Sequence, residues 1–178
     1  MLIKGESNLS VSGTSNLHDW QVNAEEFSMD LKMSTEKTLV PVIDKVLFSC
    51  QAASITSDNS IMTNKAINAL QADKNPEIIF KSDTPSSLNI SNGHFSSTIT
   101  GELTLNGVKR KVSVPFEGNV QGDVLNIKGS KSLDMEDYSI TPPTAILGAL
   151  KTDKTVTVTF DFSFKVPASN LMTLSTSK

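Results

Sequence analysis

A chain of 178 residues, 38% hydrophobic and 20% charged, is long enough to bury one autonomous core without metals, and its lone Cys50 excludes an internal disulfide. A net charge of −3 and a single arginine, Arg110, among 16 basic residues argue against nucleic-acid binding, which favours bidentate arginine contacts. No run approaches the ~18 apolar residues of a membrane span, and MLIKGESN lacks the apolar stretch of a secretion signal, so the chain reads as soluble or as a mature form already processed.

In chain order, NLSVSG reads as a first short strand and HDWQVNAEEFSMDLKM as a second. Trp20, Val22 and Ala24 share one parity and Phe27, Met29, Leu31 and Met33 the other, so a bulge or break is expected at Glu25-Glu26. His18 and Trp20 fall on one face with Asp19 on the other. They either pack at the end of a core or line a ligand mouth, His18 as a donor and Trp20 as apolar area. In KVLFSCQAASI, Val46, Phe48 and Cys50 alternate, which makes Cys50 a small buried hydrophobe rather than a nucleophile.

Residues 59–77, NSIMTNKAINALQADKNPE, carry apolar residues at helical spacing, with Ser60 as the expected N-cap and Pro76 past the end. EIIFKS is another strand, and His94 follows an Asn-Gly turn as an exposed hairpin residue. STITGELTLNGVKRKVSVPF makes two antiparallel neighbours about Asn106-Gly107, whose residues tolerate positive φ. Gly101 within the first of them predicts a bend or bulge, and Lys109-Arg110-Lys111 reads as a solvated turn. DVLNIKGSKSL adds a strand, followed by the solvated acidic run Asp134, Glu136 and Asp137. The apolar stretch 145–150 in TPPTAILGALKTDK is a core-covering turn or a lid, and the tail 168–178 reads as loosely ordered. In TVTVTFDFSFKV, Val156, Val158, Phe160, Phe162, Phe164 and Val166 alternate faultlessly with polar residues, the period of a half-buried strand.

About eight antiparallel strands and one short helix make an all-β sandwich or barrel. Eight strands closed into a barrel enclose room for one slender ligand when inward residues are modest in size. Catalysis has no support. Gly13-Thr14-Ser15 begins like a nucleophile elbow, but Leu17 stands where the second glycine belongs, and His18 and His94 have no metal-ligand spacing.

Four stretches in this order, VSGTSNLHDW, NKAINALQADKNPEIIFKS, ITGELTLNGVKRKVSVPF, and MEDYSITPPT ahead of TVTVTFDFSF, resemble the YceI-like family of lipid-binding proteins over about residues 9 to 166. The resemblance implies an extended eight-stranded antiparallel β-barrel, lipocalin-like, with one inserted helix, in a single domain of residues 1–167. It implies a non-enzymatic, cofactor-free carrier of an amphiphilic lipid, polyisoprenoid or fatty-acid-like. Carried over by position, the ligand-binding residues are Val46, Phe48, Ile78, Phe80, Leu103, Leu105, Val112, Val114 and Phe116; His18 and Trp20 join them on the mouth-lining reading of their own strand. A periplasmic or secreted bacterial location is implied as well. Family barrels often pair, which leaves a homodimer open, and the Ile146–Leu150 loop is a candidate for transient membrane contact. The alternative is a structural or partner-binding barrel without a lipid.

Overall fold

The computed structural model describes residues 1–35, 40–145 and 148–166, and in it the alternating segments form one antiparallel sheet. The strands are β1 (Asn8–Ser15), β2 (Asp19–Ala24), β3 (Phe27–Thr35), β4 (Pro41–Gln51), β5 (Ile55–Thr56), β6 (Glu77–Ser82), β7 (Ser86–Ser87), β8 (His94–Leu105), β9 (Val108–Gln121), β10 (Val124–Asp134), β11 (Thr144–Ala145) and β12 (Leu150–Lys165). One helix, α1 (Ser60–Ala69), lies between β5 and β6.

The sheet runs β3-β4-β6-β8-β9-β10-β12-β1-β2-β5, with β7 on β4 and β11 on β12. Its two ends are consecutive pieces of chain. β2 runs into β3 and pairs with β1, whereas β3 pairs with β4. β4 in turn continues through a 3-10 turn (Ala52–Ser54) into β5, which pairs with β2. Counting β2 with β3 and β4 with β5, and setting aside the two-residue β7 and β11, leaves eight runs curled into the lipocalin-like architecture. The join falls at Glu25-Glu26, where the parity switch predicts a break: Glu25 N–H donates to Ser54 O at 3.2 Å and Gln51 N–H to Glu26 O at 2.9 Å. A strand that changes partner must release one ladder before entering the next, and a broken parity is how sequence records that.

Two apolar clusters fill the barrel at different heights. The larger gathers Phe27, Ile43, Val46, Cys50, Leu88, Phe95, Ile99, Phe116, Leu125, Ile127, Phe162 and Phe164. The smaller gathers Met135, Tyr138, Ile140 and Val156, with Trp20, Leu70 and Leu105 packed on it. Its centre is a 3-10 turn, Met135–Tyr138, pinned from three sides. Lys154 bridges Asp134 at 2.8 Å and Glu136 at 3.1 Å, Arg110 pairs with Asp137 at 3.3 Å, and Asn106 Nδ2 donates to Tyr138 O at 3.1 Å. The hydrogen bond from Lys154 holds the Asp134 carboxyl below its usual range. Asn106 and Gly107, with φ of 50° and 74°, form the two-residue hairpin turn that their pairing predicts, and the asparagine then serves as the peg.

Two local expectations are corrected. The N-cap of α1 is Asn59, one residue earlier than Ser60, and its side chain accepts from Ile61 N–H at 2.9 Å. Of the bend or bulge expected at Gly101, the bulge is absent, since the β8–β9 register runs unbroken through Gly101 opposite Val112. The Ile146–Leu147 pair, the centre of the apolar loop, and the tail 168–178 lie outside the described residues.

Candidate functional site

Between the two clusters the inward rows do not meet. They leave a cavity of about 140 Å³ bordered by Leu9, Met29, Leu31, Phe48, Phe80, Leu103, Val112, Val114, Lys131, Leu133, Val158 and Phe160, with Ile43, Val46, Ile99, Phe116, Ile127 and Phe162 at its floor. Its wall presents only apolar surface. Several of these side chains, among them Leu103, Val112, Val114 and Val158, are half-buried although they sit on the inward parity, because the space they face is empty.

Two of the aromatic side chains on the cavity wall lie close to glycines. Phe80 and Phe160 each bring a ring edge against a glycine of the neighbouring strand, where a backbone carbonyl, Lys81 O or Pro115 O, comes closer still. A Cβ on Gly101 would stand 2.6 Å from Phe80 Cζ, and one on Gly129 2.6 Å from Phe160 Cζ. These glycines leave room for the rings and for the neighbouring backbone, so Gly101 serves close approach.

Of the residues assigned by position, Val46, Phe48, Phe80, Leu103, Val112, Val114 and Phe116 border the cavity. Ile78 packs against the larger cluster and Leu105 against the smaller, on the inward face but outside the opening. Trp20 also belongs to the smaller cluster, its ring over Gly13, where a Cβ would approach Cζ2 to 2.4 Å, and its Nε1–H donates to Thr14 O at 3.2 Å. His18 is exposed, with Nδ1 3.0 Å from Asp19 O, and does not reach the cavity. The sequence reading did not assign Leu9, Met29, Leu31, Lys131, Leu133, Val158 or Phe160 to the site. Their alternation was visible; that their rows face an empty space was not.

Cys50 is 2% exposed, and burial pushes its thiol up to about 11, so it stays protonated and inert as the strand parity implies. Among the described residues no group of three or more His, Cys, Asp or Glu side chains converges as a metal site, and no helix is long and apolar enough to cross a membrane. A second hollow, about 520 Å³ and polar, lies between residues 4–10 and the β2–β3 junction, with Lys4, Ser7, Gln21, Asn23 and Glu25 on its walls. Leu9 borders both hollows.

The model of the YceI-like domain matches residues 3–164. No curated protein matches the sequence. Among solved structures, the chain is similar to BcnA of Burkholderia cenocepacia, with 15% identity, a TM-score of 0.74, and coverage of 93% of this chain and 100% of that one. A polyisoprenoid binding domain from Saccharophagus degradans, implicated in plant cell wall breakdown, shares 13% identity at a TM-score of 0.71, covering 93% and 97%. The YCEI protein of Campylobacter jejuni shares 14% at a TM-score of 0.64, covering 82% and 84%.

Proposed function

Because this chain belongs to the YceI-like domain family, we propose that its barrel binds the apolar chain of an amphiphilic lipid, polyisoprenoid or fatty-acid-like, and acts as a carrier rather than an enzyme. The observation that carries this reading is the apolar cavity left between the inward rows of the barrel. A core selected only for stability would fill that space, since a void forfeits about 24 cal/mol per Å³. The name of the Saccharophagus degradans domain supports the same ligand class.

Chemistry limits the mode of binding. A wall without polar surface offers no hydrogen bonds, so affinity comes from methylenes removed from water at about 0.8 kcal/mol each. An apolar cavity near 150 Å³ accommodates about one benzene, so the space as it stands takes a segment of one chain. Longer occupants enter by displacing Met29 and Leu31, flexible side chains on the wall.

Titration with the neutral apolar fluorophore N-phenyl-1-naphthylamine tests the reading. Saturable emission enhancement at one probe per chain, reversed by hexadecanol, is expected. Emission that rises without saturating, or that hexadecanol leaves unchanged, contradicts it.

A further inference from the structure

Among the described residues, Lys131 is the only charged one that borders the cavity. It occupies an inward position of β10, where Leu125, Ile127, Gly129 and Leu133 make up the rest of the row, and it lies directly across from Val158 of β12, itself a wall residue. The wall has no polar surface, so Lys131 borders the cavity with its methylene stem and not with its ammonium.

Two other cations share the inward parity of their strands, on β9 and β12, and both are engaged. Arg110, directly across from Leu103, pairs with Asp137, and Lys154 with Asp134 and Glu136. These pairs occupy all three carboxylates of the Asp134–Asp137 segment. Lys131 has no ion pair or side-chain hydrogen bond among the described residues. A long cationic side chain in an otherwise apolar inward row, with its stem against an empty lumen and its charge uncommitted, is placed to meet a group delivered by the lumen's occupant.

We propose that Lys131 binds the anionic head group of a single-chain amphiphile whose tail fills the cavity. This rests on the lipid-binding reading and narrows it: the ligand carries a carboxylate or phosphate, and a neutral alcohol or amide binds more weakly. The tail runs from Lys131 toward Ile127, four residues along β10 and about 13 Å at about 3.3 Å per residue, down to the phenylalanines of the larger cluster.

Displacement of N-phenyl-1-naphthylamine by palmitate, hexadecyl phosphate and hexadecanol, run on the wild type, Lys131→Met and Lys131→Arg, tests the assignment. The wild type should favour at least one anion over the alcohol by about ten-fold, the worth of one charge-assisted hydrogen bond in a partly wet site. Lys131→Met, which keeps the unbranched apolar stem, should lose that preference, and Lys131→Arg should keep it. The anion preferred identifies the head as carboxylate or phosphate. Equal binding of all three by the wild type, or a preference that survives in Lys131→Met, overturns the proposal and leaves the lipid-binding reading standing. Failure of all three to displace the probe sinks both.

Discussion

Replacing Phe162 by alanine is expected to destabilise the barrel by about 3–5 kcal/mol, a large share of the roughly 5–15 kcal/mol that holds a domain folded. Phe162 is 5% exposed and stands directly across from Ile127. Its ring centre lies 5.3 Å from that of Phe160, 5.6 Å from Phe27, 6.2 Å from Phe48 and 6.4 Å from Phe164, so it is the hub of the aromatic cluster. Truncation removes those contacts and joins a new void to the existing cavity, whose apolar walls give water no partners. Urea unfolding should show a lower midpoint at an unchanged slope. A loss under about 1 kcal/mol would mean that the rings line a loose interior and do not form a floor.

Val114→Phe is expected to do the reverse, leaving stability within about 1 kcal/mol while removing ligand binding. Val114 is half-buried on β9 across from Ile99, and the face it leaves free is the cavity. A ring there grows into empty space, so it need not push neighbours off their rotamers. It excludes a stretch of ligand chain instead. Displacing only two methylenes forfeits about 1.6 kcal/mol, more than a ten-fold loss of affinity. Probe titration of the variant beside thermal melting separates the two effects. Undiminished binding places the ligand elsewhere on the molecule.

Much of this was legible in the sequence because strand parity is a local property. The row from Val156 to Phe164, the Asn106-Gly107 turn and the break at Glu25-Glu26 each follow from neighbours a few residues apart. Parity fixes the face of a residue but not its depth along the barrel. Ile78 and Leu105 therefore share the inward face with Phe80 and Leu103 yet pack into the clusters at either end. Depth depends on which strands pair and in what register, and those contacts are distant in the chain. The roles of Gly101 and Gly129 escaped for the same reason, since the ring that each accommodates comes from another strand. Lys131 escaped differently. In KGSKSL it reads as solvated, and only its place in the row Leu125, Ile127, Gly129, Leu133 shows that the polar label is misleading. His18-Asp19-Trp20, conspicuous for its rare residues, divides between an exposed histidine and a tryptophan that closes one end of the core.

Native mass spectrometry of the protein purified without detergent, with organic extraction of the same sample, tests most directly that the barrel holds a lipid chain. The account predicts a population heavier than the polypeptide by one single-chain amphiphile, recovered in the extract and missing from Val114→Phe. Bare polypeptide mass in both proteins, with no amphiphile taken up when palmitate, hexadecyl phosphate or hexadecanol is added, would contradict it.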